Sequence, residues 1–365
     1  MRIAVGMSGG VDSSLTAALV AEAGHEVVGV TMKLWPCAEL DGGFTRTDAC
    51  CSPTETIDAR SVAQKVGARH YVVDFEDGFR RNVVDGFVAD YARGLTPNPC
   101  VRCNETVKFG ELWRWAASVG AERVATGHYA RVERALDRWL LRTAVDAGKD
   151  QTYFLFSLTQ EQLSRAEFPV GGLTKAEVRE AARQRGLPTA DKGESQDICF
   201  VNGSAADFVR AAAPDAFRPG DFVLVDGSTV GTHRGLPAYT IGQRHGLGIA
   251  WSEPLYVVRL DPARNQVVVG PREALETRTL PLTDLTWSPG QVPAEGIAVL
   301  ARLRHRGRLI PARVLPRPGV GEGGLPNAEI HFDQPTARAA PGQACVLYDP
   351  TATWCWGGGW IVPDA

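Results

Sequence analysis

Ile3-Ala4-Val5-Gly6-Met7-Ser8-Gly9-Gly10-Val11-Asp12-Ser13-Ser14 is the stretch that decides how this chain folds. The apolar run Ile3-Ala4-Val5 predicts a buried strand. It empties into a turn of small residues. The turn opens onto Leu15-Thr16-Ala17-Ala18-Leu19-Val20, which reads as a buried helix closed by Gly24. The Gly9-Gly10 pair lets the backbone approach a ligand with no Cβ in the way. Several N–H groups can converge at the helix N-terminus, where the dipole favours an anion. Ser8, Ser13 and Ser14 add hydroxyl donors. These are the parts of a phosphate cradle; the alternative is a strand-to-helix turn that binds nothing. A Walker loop would carry Lys before Ser or Thr to neutralise the β- and γ-phosphates. Here Asp12 occupies the turn and no Lys is present. A carboxylate beside phosphates implies Mg²⁺ between them.

Outward from that turn, strands and helices alternate. Residues 27–32 predict a second buried strand, and Ser52-Pro53-Thr54-Glu55 a capping box opening a helix that stops near Gly67. Residues 70–75 predict a third strand, 79–91 an amphipathic stretch, and 123–128 a strand reaching a loop. The box Thr174-Lys175-Ala176-Glu177 opens a helix that ends near Gly186. Strands joined by helical crossovers imply a parallel, doubly wound sheet with ligands at the carboxyl ends of its strands, where Ser8, Met32, Gly127 and His128 lie. After Phe200 short β-type runs and Gly-rich turns take over, and from about residue 280 strand and turn alternate as in a small β-barrel or sandwich.

The chain has 365 residues, enough for two or three domains with full cores. Its 44% hydrophobic and 22% charged residues are those of a soluble globular protein. No run of about 18 apolar residues predicts a membrane span. Met1-Arg2-Ile3 enters the first strand at once, so no targeting segment precedes it and the expected location is the cytoplasm. A net charge of −3 does not announce nucleic acid, although a local basic face can still bind it.

Eight cysteines in such a chain are not a disulfide scaffold. Thr96-Pro97-Asn98-Pro99-Cys100-Val101-Arg102-Cys103-Asn104 is a stiff loop whose prolines fix the backbone, with Asn104 or Thr106 available to cap the following helix. Cys103 is then expected near a helix N-terminus with Arg102 and Lys108 close by, which favours thiolate. Cys199, in Glu194-Ser195-Gln196-Asp197-Ile198-Cys199-Phe200, is the second candidate. Taken alone, each of these cysteines is also compatible with simple packing.

The loop Gly6 to Ser14 resembles the pyrophosphate loop of the N-type ATP pyrophosphatases. The whole pattern is similar to the tRNA-specific 2-thiouridylases. The resemblance runs through that loop, Cys50-Cys51-Ser52, Thr96-Pro97-Asn98-Pro99, Cys103-Asn104 and Thr126-Gly127-His128-Tyr129-Ala130. It continues through Lys149-Asp150-Gln151-Thr152-Tyr153-Phe154, Ser195 to Phe200, and Tyr239-Thr240-Ile241-Gly242-Gln243-Arg244. It implies an α/β catalytic domain over residues 1–202, a small, mostly β central domain over 203–275, and a tRNA-contacting β-barrel over 276–365. It implies ATP, with Mg²⁺, held by Gly6, Met7, Ser8, Gly9, Gly10, Val11, Asp12, Ser13, Met32 and Gly127. It places the target uridine beside Asn98, Pro99 and Cys100, makes Cys103 the nucleophile, and has Cys199 carry a persulfide received from a sulfur-donor protein.

The resemblance also implies a reaction: uridine O2 is adenylated, Cys103 attacks the Cys199 persulfide to release sulfide and leave a disulfide, and sulfide displaces AMP. One departure matters. Many members carry Asp where this chain has Cys100, and the change creates a Cys-x-x-Cys pair. Cys100, Cys103 and Cys199 could then hold a [4Fe–4S] cluster, an alternative route to the same product. A zinc site using Cys50 and Cys51 is disfavoured, because adjacent cysteines suit tetrahedral ligation poorly. Another ATP pyrophosphatase, such as a ligase of the argininosuccinate synthetase type, is the competing activity, and a catalytically silent RNA-binding protein a third.

Arg302-Leu303-Arg304-His305-Arg306-Gly307-Arg308 alternates basic and apolar residues, and no Asp or Glu occurs from Gly296 to Gly321. On a strand this is one basic face suited to phosphates. The resemblance places tRNA contacts at Arg304, His305, Gln343, Lys149, Asp150, Gln151 and His128. Trp354, Trp356, Trp360, Cys345 and Cys355 read as barrel core.

Overall fold

The computed structural model describes residues 1–35, 53–135, 137–193 and 198–363. The described chain forms two compact units, each assembled from separated stretches. One comprises Met1–Val84, Pro99–Phe200 and Thr351–Trp356; the other comprises Asp85–Asn98, Val201–Pro350 and Gly357–Ala365.

The first unit is built on a parallel sheet. Strands β1 (Arg2–Gly6), β2 (Glu26–Lys33), β3 (Arg69–Asp74), β4 (Arg123–Ala125) and β7 (Ala166–Glu167) lie in the order β3-β2-β1-β4-β7. All four pairings are parallel, with Ile3 opposite Val27 on one side and Arg123 on the other. Ile3, Ala4 and Val5 have no exposed surface, as a central parallel strand covered on both faces requires. The helices α1 (Val11–Glu22) and α2 (Pro53–Lys65) follow β1 and β2. The strand order reverses between β1 and β4, which opens a crevice beyond their carboxyl ends. The hairpin of β5 (Ala130–Ala135) and β6 (Arg138–Thr143) completes this unit, with Trp354 and Cys355 pairing Arg142 and Leu141. The expected box at Thr174 is realised: Thr174 Oγ1 accepts from Glu177 N, and Glu177 returns a bond to Thr174 N. Ser52, the cap expected for α2, lies outside the described residues.

In the second unit, β8 (Gly220–Leu224), β9 (Thr229–His233), β10 (Tyr256–Asp261) and β11 (Gln266–Gly270) form a sheet in the order β10-β11-β8-β9. Its core is Phe222, Leu236, Tyr239, Leu255, Val257, Val267 and Val269. Strands β12 (Glu276–Trp287), β13 (Ile297–Arg302), β14 (Ile310–Val320), β15 (Pro326–Ala337) and β16 (Ala344–Tyr348) close into an antiparallel barrel with the part of β17 (Trp354–Ile361) from Gly357 onward, which pairs with β12. Cys345 and Cys355 are buried as expected. Trp354, Trp356 and Trp360 are only half-buried; Trp354 lies beneath the Arg142 guanidinium, 5.5 Å from its ring centre. No helix among the described residues is long and apolar enough to cross a membrane.

Candidate active site

The loop after β1 is shaped by its glycines in a way the sequence did not disclose. Gly9 has φ +75°, and a Cβ there would fall 2.4–2.8 Å from Glu55 in the first turn of α2. Gly127, after β4, lies so close to the other side of the loop that a Cβ would meet Ser13 N at 2.7 Å and the Asp12 carbonyl carbon at 2.8 Å. The loop is therefore gripped from both flanks. Gly10 occupies the N-cap of α1 and offers no side-chain cap, so the first-turn N–H groups of α1 are left for an external acceptor. Ser13 Oγ accepts from Ser8 N at 3.2 Å and donates to Gly10 O at 3.1 Å. Ser14 Oγ, fully buried, donates to the same carbonyl at 2.8 Å and so serves the helix. Ser8, which is exposed, presents the more accessible hydroxyl.

A cleft opens beside this loop at the β1/β4 reversal. Gly6, Met7, Ser8, Asp12, Ser13, Met32 and Gly127 line it, and His128 and Gln151 join them. Leu34, Lys108 and Thr126 also line it; the sequence marks Lys108 only as a neighbour of Cys103 and Thr126 only as part of the 126–130 motif. His128 accepts or donates through Nδ1 with Thr126 Oγ1 at 2.7 Å and packs against Phe109 and Phe168. Burial, helped by the Lys108 charge, holds its pKa well below the ordinary histidine value of 6.5, so it faces the cleft as neutral imidazole. His70 and His233 are shifted in the same direction, chiefly by burial. A folded state with depressed histidine pKa values binds fewer protons than the unfolded chain below 6.5. Stability should hold above that pH and decline as pH falls beneath it. Urea midpoints at pH of about 7.5 and 5.5 test this; equal midpoints, or a pH slope unchanged in His128→Asn, would refute the histidine contribution.

The carboxylate of Asp12 has partners from far along the chain. Lys175 Nζ donates to Asp12 Oδ1 and Oδ2, both at 2.8 Å, and Tyr129 Oη donates to Oδ1 at 2.7 Å. The cation beside Asp12 is thus an ammonium. Both carboxylate oxygens are engaged by protein donors in this arrangement.

The cysteine loop starts its helix earlier than expected. Pro99 takes the first helical position of Pro99–Arg102, the place where its missing N–H costs nothing. Asn104 and Thr106 therefore do not cap: Asn104 Nδ2 donates to Phe154 O, and Thr106 Oγ1 to Arg102 O within the helix. Cys103 opens the segment Cys103–Glu111, wound as a π-helix with Leu112 N donating to Val107 O. Cys103 is buried and Cys100 exposed. The surrounding protein nevertheless pushes the Cys100 thiol pKa up, with Lys108 opposing. Arg102 is drawn to Glu105 at 3.5 Å. Cys199 is half-buried, next to Phe200, whose ring packs on Phe79 and Trp35. None of the five described cysteines is in a disulfide. Among the described residues no three His, Cys, Asp or Glu side chains are grouped to hold a metal ion. Cys50, Cys51 and residues 194–197 lie outside the described residues.

A family model described as the tRNA methyl transferase HUP domain matches residues 1–203. Two more, the tRNA methyl transferase PRC-barrel domain and the aminomethyltransferase beta-barrel domain, match 206–271 and 277–361. The chain is 47% identical to the tRNA-specific 2-thiouridylase MnmA of Parvibaculum lavamentivorans, over 99% of this chain and 90% of that one. It is 47% identical to that of Magnetococcus marinus, over 99% of each, and 48% identical to that of Geobacter metallireducens, over 99% of this chain and 96% of that one. The chain belongs to the MnmA family of tRNA-specific 2-thiouridylases. It is accordingly a sulfurtransferase, and the doubly wound domain followed by a central domain and a β-barrel is the architecture expected from its sequence.

The residues expected at the RNA side of an MnmA protein are placed as follows. Asp150 is buried, and its carboxylate accepts from Ala144 N and Thr152 Oγ1. Gln151 Oε1 accepts from Tyr129 N. Lys149 sits in the turn before them, its N–H bonded to Asp146 O. The run 302–308 is not a strand. β13 ends at Arg302, and Arg306 adopts φ +59° in a turn closed by Gly307 N to Arg304 O. Arg304, Arg306 and Arg308 are still exposed, on that turn, while Arg302 stacks on Tyr348.

Gln343 Nε2 donates to Thr96 O at 2.9 Å and Pro97 O at 3.3 Å, and Thr96 N donates to Pro341 O. Its amide thus positions the backbone that leads into Asn98. Gly342, at φ +89°, would place a Cβ 3.0 Å from Leu95 Cβ and Thr96 N. Gly342→Ala should cost about 1–3 kcal/mol of stability in this clamp and lower tRNA thiolation more than ATP binding; an unchanged urea midpoint would show that the clamp yields.

Proposed function

We propose that this protein thiolates the wobble uridine of tRNAs of the Lys, Glu and Gln type at position 2, consuming ATP. Uridine O2 attacks the α-phosphate of ATP, pyrophosphate leaves, and the base becomes adenylated. A poor leaving oxygen is thereby converted into a good one. The Cys103 thiolate attacks the Cys199 sulfur of a Cys199 persulfide, releasing hydrosulfide and forming the Cys103–Cys199 disulfide. Hydrosulfide adds at C2 and expels AMP. A persulfide donor protein loads Cys199, and a dithiol reductant reopens the disulfide. The observation that carries this reading is the convergence of Gly6, Ser8, Asp12, Ser13, Met32 and Gly127 on one cleft in a chain similar to MnmA proteins over 99% of its length. Neutral His128 suits a contact with an uncharged base or ribose. Exposed Arg304 and Arg308, with Lys149, suit phosphates. Mg²⁺ arrives with the nucleotide. These reactions point to the cytoplasm.

The test mixes anaerobically purified protein, Mg-ATP, sulfide and an unmodified tRNA transcript, and reads thiolated tRNA on a mercury gel with iron measured in the same sample. Thiolation by iron-free protein supports this route. Thiolation that requires iron replaces it with chemistry at Cys100, Cys103 and Cys199. The absence of both thiolation and AMP overturns the activity and leaves an ATP pyrophosphatase fold with an unknown acceptor.

A further inference from the structure

The pyrophosphate loop contains no cation, and among the described residues lining the cleft Lys108 is the single lysine or arginine. His128 is neutral. A bound triphosphate therefore meets one fixed positive side chain there, and pyrophosphate leaves with charge to be neutralised. Directly on Asp12, a cleft-lining residue, sits the ammonium of Lys175, with 12% of its side chain exposed. Its placement is built. Lys175 is the first residue of helix Lys175–Gln184, fixed by the Thr174 capping box. Its own N–H donates to Asp146 Oδ2 at 3.0 Å, and Asp146 Oδ1 also accepts from Gly148 N. A cation in a first turn opposes the dipole of its own helix, so helix stability does not explain a lysine here.

We propose that Lys175 is the phosphate-neutralising lysine of this loop, supplied from 163 residues away. Without nucleotide, Asp12 holds the ammonium at the mouth of the loop. With ATP bound, the ammonium contacts the β- and γ-phosphates and stays with pyrophosphate as it departs. The proposal rests on the ATP reading above and assigns a residue within it. It also explains how a carboxylate can sit in a phosphate loop: Asp12 orients a cation toward the anion.

The experiment measures binding of ATP, pyrophosphate and AMP to the full chain, with Lys175→Met and Lys175→Arg as variants. Lys175→Met should weaken ATP and pyrophosphate by about thirtyfold or more, as loss of a charge-assisted bond implies. AMP should change less than about twofold, and Lys175→Arg should recover most of the loss. A role confined to propping Asp12 predicts equal loss for ATP and AMP, and that result overturns the proposal, as does unaltered ATP binding. A wild-type protein that binds AMP but neither ATP nor pyrophosphate overturns the ATP reading itself.

Discussion

Cys199→Ser should bring thiolation from a persulfide donor down by at least about a thousandfold, the scale of losing a covalent intermediate. AMP formation on tRNA should continue, because adenylation involves the cleft residues, and Cys199 is not among those lining it. Millimolar sulfide should restore thiolation to this variant, since sulfide supplies the nucleophile that the persulfide otherwise releases. The same rescue should work for Cys103→Ser. The two variants should differ in one respect: Cys199→Ser accepts no sulfur from the donor, whereas Cys103→Ser accumulates a stable persulfide on Cys199, visible by mass. A Cys199→Ser protein that thiolates normally with the donor would refute the persulfide assignment. If Cys100→Ser matches both in severity and iron restores only the wild type, cluster chemistry displaces it.

Gly127→Ala should weaken ATP binding by about tenfold to a hundredfold. The added methyl meets Ser13 N at 2.7 Å and the Asp12 carbonyl carbon at 2.8 Å. Both are backbone, so neither can swing aside as a side-chain tip would. Relief requires the loop to move away from β4, and overpacking of this kind costs about 1–3 kcal/mol. The cost falls on the first turn of α1, whose N–H groups are to hold phosphate. Gly172→Ala is the control, because nothing lies within 4 Å of a Cβ there. Equal ATP affinity in Gly127→Ala and wild type would mean that the loop is not held by β4 when nucleotide binds.

What could be read from the sequence was local. The passage from Ile3 to Val20 announces strand, turn and helix through composition alone, and the Thr174-to-Glu177 box announces its helix as accurately. What required the structure was long-range. Nothing near Asp12 signals Lys175, because the partner arrives through a crossover and a hairpin. The sequence suggests ligand approach as the reason for Gly9, whereas packing against Glu55 and a positive φ already demand it. The alternation at 302–308 suggested a strand, but Gly307 allowed a turn, and a turn preserves an exposed basic run equally well. Asn104 and Thr106 are available as caps in the sequence, but Pro99 already starts the helix ahead of them.

The interleaving of the two units bears on how the chain is made. Residues Thr351–Trp356 complete the first unit and are made long after its other stretches, which end at Phe200. Until they emerge, β6 lacks the pairing that Trp354 and Cys355 provide to Arg142 and Leu141. During synthesis this edge is an unprotected template for strand addition. Residues Asp85–Asn98 likewise emerge early and wait for partners made after residue 200. Closure of both units thus waits for segments made late, and a fragment ending near residue 200 inherits two unfinished surfaces in place of one finished domain.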